Sequence, residues 1–348
     1  MDIMSLRHHI DELLKINPVP SPWPRMFVCA LSTTIPLIIG LLTHQMGAAI
    51  FGSLMGFLLV LNDHMGTLGH RLWTITLTCM MMLGGLTLGM LTHGERWLLM
   101  PLLFAMVYCL GLMGGGKGAE LERALLFSVF QILAGAYIQG LDRHMVPVLS
   151  YALLGYLCVV LCLTSLVFLR RHKPNPFARL RASFKQALTT EKSHHLYATG
   201  YASAIVLSLL IVDYFKIDHG YWAVGTVLII MRPELKQSIY RSIQRFLGTL
   251  LGVLIADIII YSVHSPWVAI VLLGLISFWG PWSIVRSYWL GSAVLVVMLL
   301  IILDMPNLQR GDLHTPMVRL TATGIGCLLS LVAIVLVNPQ ELWRRRPH

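Results

Sequence analysis

Charge is scarce in this sequence: Asp, Glu, Lys and Arg make up only 12% of 348 residues, about half of the roughly 25% that a water-soluble domain carries. Water is thereby excluded as the main solvent of the folded surface. Acidic residues are the scarcest, 16 Asp and Glu against 26 Lys and Arg, which leaves a net charge of +10. The six cysteines (Cys29, Cys79, Cys109, Cys158, Cys162 and Cys327) all fall inside apolar runs and have no metal-ligand spacing. They read as small buried or lipid-facing residues rather than as a zinc site or a disulfide framework. His8-His9 and His194-His195 stand in polar flanks without further ligands, and no His-Glu-x-x-His motif occurs, so neither a metal site nor an enzyme constellation nor a cofactor is expected. The run Gly114-Gly115-Gly116-Lys117-Gly118 lacks the glycine spacing and the following Ser or Thr of a phosphate loop. It reads as a turn and gives no support to ATP-driven transport. The first apolar run begins only at Met26, after Asp11, Glu12, Lys15 and a proline cluster, so no removable signal peptide is read.

Apolar residues, by contrast, make up 56% of the chain, and the mean hydropathy is +0.73. Apolar runs recur at roughly 26–43, 47–62, 72–92, 97–113, 121–139, 147–169, 198–214, 219–232, 245–263, 266–282, 287–303 and 316–337. A helix of about 20 such residues crosses about 30 Å of hydrocarbon. The expectation is an all-α polytopic membrane protein of about 12 transmembrane helices, with the second and eighth short for a straight span. Basic loops stay on the cytoplasmic side. With the N-terminus inside, 21 of the 26 Lys and Arg fall on cytoplasmic segments and five outside, so both termini are expected in the cytoplasm. The longest basic stretch, 170–192, lies between two spans, so topology accounts for it and nucleic acid is not an expected partner. Membrane lipids are. Two amphipathic segments, Ile3-Leu6-Ile10-Leu13 and Phe177-Leu180-Phe184-Leu188, read as anchors on the inner leaflet.

The two halves of the chain align at an offset near 170. Gly47, Gly52 and Ser53 match Gly220, Gly225 and Thr226; Trp97 matches Trp267, His144 matches His314, and Cys158 matches Cys327. Six spans per half make the repeats parallel, related by a pseudo-two-fold axis along the membrane normal. The expected organisation is an N-terminal six-helix repeat over 1–169, a basic cytoplasmic linker over 170–197, and a C-terminal six-helix repeat over 198–348.

The stretch from Gly220 to Gly252 carries the most information. Tyr221-Trp222 opens a span, Arg232-Pro233 ends it, a basic turn with Lys236 and Arg241 follows, and Arg245 opens the next span ahead of Gly248, Thr249 and Gly252. The small residues at 248, 249 and 252 share nearly one face and allow close helix contact. This passage resembles the FUSC (fusaric acid resistance) superfamily, which includes the aromatic acid exporters and is related to plant aluminium-activated malate transporters. The family pattern of Tyr-Trp-Ala, a Pro, and Arg followed by Gly-Thr and Gly is met by Tyr221, Trp222, Ala223, Thr226, Pro233, Arg241, Arg245, Gly248, Thr249 and Gly252. The first half has Ala48-Ala49 where the second has Tyr221-Trp222. Many relatives also carry a sizeable cytoplasmic domain between the halves, where this chain has only a short linker.

The resemblance implies an exporter of organic anions, often aromatic acids, in a bacterial inner membrane. From the residues themselves, Arg232, Lys236, Arg241 and Arg245 would gather anions at the cytoplasmic mouth; fixing topology or pairing with lipid phosphate is the alternative. Asp257, inside the outer half of its span, could carry a proton. Trp279, Trp282, Tyr288 and Trp289 flank Gly280-Pro281 with Arg286 among them, a set that would suit an aromatic carboxylate or an interfacial belt. Pro281 should break or kink its helix. The expected function is proton-coupled export of an aromatic or carboxylated anion, with a passive anion channel and a non-transporting accessory subunit of an envelope complex as alternatives. A homo-oligomer or an envelope partner is compatible with the same residues.

Overall fold

In hydrocarbon every backbone N–H and C=O must be satisfied within the protein, and a continuous apolar segment does this as a helix. The structure, a computed structural model, describes residues 16–63, 66–113, 119–137, 144–167, 192–216, 220–232, 234–305 and 314–337. Among them are twelve α-helices and no strand. In the first half these are α1 (Trp23–Leu42), α2 (Met46–Leu61), α3 (Leu68–Leu91), α4 (Arg96–Met113), α5 (Ala119–Tyr137) and α6 (Met145–Val167). The second half holds α7 (Lys192–Tyr214), α8 (Tyr221–Ile230), α9 (Leu235–Ser262), α10 (Pro266–Arg286), α11 (Tyr288–Asp304) and α12 (His314–Val337).

Seven of them (α1, α3, α4, α6, α7, α9 and α10) are long and apolar enough to cross a membrane, and α2, α8, α11 and most of α12 are shorter apolar helices. The protein is thus an all-α polytopic membrane protein. The two segments expected to be short are α2, with 16 residues, and α8, with 10. At 1.5 Å per residue α8 reaches only about 15 Å, half the hydrocarbon thickness.

The structure corrects three expectations. Helix α9 begins at Leu235, so Lys236 and Arg241 lie on the helix and Arg245 stands ten residues inside it. The apolar run seen in the sequence starts later because the first turns of α9 bear Lys236, Gln237, Ser238 and Arg241. Helix α10 continues through the buried Pro281 to Arg286 instead of breaking; α1 and α11 pack along it and hold it in place. Helix α7 starts at Lys192, within the expected linker. The two amphipathic anchors, the 114–118 turn and Pro233 lie outside the described residues.

The same helix pairings occur in both halves. In the first, α1 meets α2 and α6, α2 meets α3 and α6, α3 meets α5 and α6, and α4 meets α5. Adding six to each number gives pairs that are all present in the second half. Both tight crossings of the third on the fifth helix use a Gly-x-x-x-Gly pair. A Cβ at Gly85 or Gly89 of α3 would strike the carbonyls of Ser128 or Ile132 on α5, and one at Gly248 or Gly252 of α9 those of Trp289 or Ala293 on α11. Between the halves, α1 packs on α10 and α7 on α4, a reciprocal exchange of first and fourth helices. The apolar core follows this exchange. One cluster joins α1, α2, α3 and α6 to α9, α10 and α11; the other joins α4 and α5 to α7, α8 and α12.

Candidate functional site

The site is built around the two ends of α8. A helix leaves its last carbonyls without partners, and at α8 these are met by tyrosines from α7. Tyr201 donates its hydroxyl to the carbonyl of Leu228, and Tyr197 donates to that of Met231 at 3.3 Å. The chain then runs extended through Met231. The backbone N–H of Arg232 donates to Ser238 Oγ at 3.0 Å, and that hydroxyl donates back to the Arg232 carbonyl at 3.2 Å, which fixes the break between α8 and α9. With the backbone held, the Arg232 guanidinium reaches across to the first half and donates to Glu122 Oε1 of α5 at 2.8 Å. Beneath this ion pair is a void of only about 20 Å³, bordered by Tyr197, Tyr201, Leu126 and Gly111.

From Arg232 a row of cations runs up the inner face of α9. Along this helix Ser238, Ser242, Arg245, Thr249, Val253, Ala256 and Ile260 are all buried, while Leu247, Leu250, Leu254 and Ile258 are exposed apolar residues facing lipid. Arg241 lies over the ring of Tyr288, 5.3 Å from its centre, and feels the charges of both Arg232 and Glu122. Arg245 is 3% exposed. Its Nη1 donates to Ser292 Oγ of α11 at 3.1 Å, its Nε has no hydrogen-bond partner, and no carboxylate forms an ion pair with it among the described residues. Four more buried polar atoms without partners lie on the adjoining turns of α9 and α11: Thr249 Oγ1, Ser287 Oγ, Tyr288 OH and Trp289 Nε1. A buried guanidinium without a counter-ion costs several kcal/mol. Hydroxyl, indole and guanidinium donors together make a place that an anion would stabilise.

At the other end of α8, Tyr221 and Trp222 line a cavity of about 680 Å³ between the halves. Its wall is apolar, with Phe51, Leu54, Phe130 and Leu303 contributing, and His44, Gln45 and His144 supply the polar groups. A volume of this size accommodates a small organic molecule. The halves are bridged again at this end, where Asp213 of α7 accepts from Tyr137 of α5 at 3.3 Å and pairs with the largely exposed Arg96 of α4 at 3.4 Å.

The structure therefore gathers Arg232, Arg241 and Arg245 into one row and places Tyr221 and Trp222 on the cavity, with α8 between. Lys236 is exposed and lies 5.4 Å from the ring centre of Tyr240, outside that row. Asp257 stands twelve residues beyond Arg245 on α9, about 18 Å along the helix; it is half-buried, its Oδ1 has no partner, and it lines neither cavity. The α10 aromatics are elsewhere. Trp279 is 45% exposed, continuing the outward face of Val268, Val271 and Leu275. Its neighbour Phe278 packs on Trp23 and Phe27 of α1. Arg286 stacks on Trp282 and donates to the carbonyl of Val19 at 3.2 Å, which ties down the segment before α1. Sequence reasoning missed Glu122, Tyr197 and Tyr201; the signal was two acids in the first turn of α5 and a Tyr pair four residues apart.

Comparison with known proteins centres on this region. The fusaric acid resistance protein-like family matches residues 206–333, which run from the middle of α7 into α12 and include α8 and the arginine row. Inner membrane protein YccS of Escherichia coli (strain K12) is 23% identical over 178 residues, covering 50% of this chain and 24% of that protein. The match thus spans about a quarter of that relative's length. No solved structure matches the chain. Residues 206–333, with the Tyr221-to-Gly252 motif among them, are thus similar to the fusaric acid resistance protein-like family.

Proposed function

We propose that this protein moves organic anions, aromatic or carboxylated, outward across a bacterial inner membrane, with both termini in the cytoplasm and proton exchange driving the flux. The observation that carries this reading is Arg245, buried at 3% exposure with no carboxylate paired to it among the described residues. Arg232 and Arg241 extend its positive charge toward the end of the bundle where most basic residues lie. An anion attracted there would pass along α8 toward the apolar cavity at Tyr221 and Trp222, which suits the aromatic body of such a solute. The shared set of pairings supports reading the halves as parallel repeats, with the path between them. Asp257 is assigned as the proton carrier from its place in the outer half of α9. The similarity to a protein named for the inner membrane supports the location.

The test is uptake of radiolabelled benzoate and salicylate into inverted vesicles with an imposed pH gradient. Gradient-driven uptake above empty vesicles, lost at least tenfold in Arg245→Gln, is expected. Flux that follows the anion gradient alone would mark a channel, and an unchanged proton coupling in Asp257→Asn would remove that residue from the mechanism. Absence of flux with a fixed co-purifying partner would identify an accessory subunit and sink the transport reading.

A further inference from the structure

The first turn of α5 carries two acids, Glu120 and Glu122, and positions two apart on a helix do not share a face. Glu122 reaches the second half through Arg232. Glu120 turns back into the first half. Its Oε1 lies 3.1 Å from Nε2 of His70, its Oε2 accepts from Thr74 Oγ1 at 3.3 Å, and its backbone carbonyl accepts from Asn62 Nδ2 at 3.1 Å. Asn62 also donates to Thr78 at 2.7 Å, so the start of α5 is held against α3 by a buried polar network. His70 is 6% exposed. The other charged groups here have their own partners. Asp63 at the end of α2 is bound two-pronged by Arg71 of α3, Arg25 of α1 donates to the carbonyls of Val60 and Leu61, and Arg123 lies beside both acids on α5. From α6, the remaining helix against α3, come Tyr156, bonded to Thr76, and Cys162.

We infer that His70 and Glu120 form a proton-binding site whose charge state controls the Arg232–Glu122 closure between the halves. This deepens the transport reading and rests on it. With a proton on both ring nitrogens, His70 is a cation facing a carboxylate; the pair clamps the first turn of α5 to α3 and so presents Glu122 to Arg232. When the ring gives one proton to water, the ion pair is lost, and what remains is a single hydrogen bond between a neutral ring and the still ionised carboxylate. The turn is released, Glu122 withdraws, and the narrow void under Arg232 opens toward the basic end. Histidine is the side chain whose ordinary charge change lies between pH 5 and 8. Acid therefore shuts this end and alkali opens it.

The test reads access instead of flux, so it succeeds or fails independently of whether any anion is carried. The full chain in inverted vesicles carries Leu228→Cys, which lines the void, and a membrane-impermeant maleimide is applied from pH 5.5 to 8. Labelling is read by mass spectrometry on that peptide and divided by the rate at exposed Lys236→Cys to remove the thiol's own pH dependence. The corrected rate is expected to rise about tenfold across the range, a change of about 1.4 kcal/mol in the closure. His70→Gln and Glu120→Gln should flatten the profile, Glu122→Gln should leave the void open at every pH, and His70→Lys, a fixed cation, should keep it shut. A flat wild-type profile, or a wild-type profile retained in both Gln variants, would overturn the proposal.

Discussion

At the residue scale the question is why a cation is kept where no partner compensates it. Replacing a buried ion pair with apolar side chains of similar volume is neutral or stabilising by about 1–4 kcal/mol, whereas breaking one costs about 3–5 kcal/mol because it leaves an uncompensated buried charge. Among the described residues Arg245 has Ser292 and no carboxylate, so Arg245→Met is expected to raise the melting midpoint of the detergent-solubilised protein. It should also abolish any upward shift that added benzoate gives the native chain, because a ligand that binds only the folded state stabilises it. A midpoint that falls sharply in the variant would show that the arginine is already paired. The arginines were legible in the sequence because a basic residue in an apolar run is costly and stands out. Their counterpart Glu122 was not, since it lies 110 residues away from Arg232 and only folding brings the two together. The tryptophans of α10 leave two readings open for a related reason: the sequence shows the spacing of Trp279 and Trp282, but not that Trp279 is on the exposed face of the helix.

The elements were read more fully than their ends. The shortness of α2 and α8 was visible from the length of the apolar runs, and the small residues at 248, 249 and 252 announced a close crossing, which Gly248 and Gly252 make on α11. The matching pair Gly85 and Gly89 stands out less in the sequence, because Met82 occupies the place before it that Arg245 occupies before Gly248. These crossings set a test. At Gly252 a side chain meets the Ala293 carbonyl and Val296, backbone and branched carbon that have little room to give, while at Gly47 nothing lies within 4 Å. Overpacking usually costs about 1–3 kcal/mol, and a collision with backbone belongs at or above the upper end. Gly252→Leu is expected to lower the thermal midpoint markedly and reduce the yield of monodisperse protein, with Gly89→Leu doing the same in the other half. Gly47→Ala should be close to native. Equal tolerance at all three positions would contradict the packing described for α3 on α5 and α9 on α11.

On the scale of the whole molecule, the halves are fastened by a polar bridge at each end, Arg232–Glu122 at one and Asp213 with Tyr137 and Arg96 at the other. Helix α5 takes part in both. Tyr108 with His195 at 2.8 Å and Arg286 with the Val19 carbonyl at 3.2 Å add further polar contacts between the halves. The barrier to a solute is thin here, since α8 covers only about 15 Å and the cavity at Tyr221 and Trp222 takes up part of the remaining depth. This geometry makes orientation measurable. On the proposed orientation the basic end, which carries the Arg232 row, Arg25 and Arg71, lies on the side where lysine- and arginine-rich loops are retained, and the cavity faces the opposite compartment. An impermeant maleimide is accordingly expected to label His44→Cys or His144→Cys in intact spheroplasts and to leave Lys236→Cys unmodified, with the pattern reversed in inverted vesicles. Labelling of both ends from one side would mean that α8 and its neighbours do not complete a crossing. The even number of spans, the inward-facing arginines and the direction assigned to transport would then fall together.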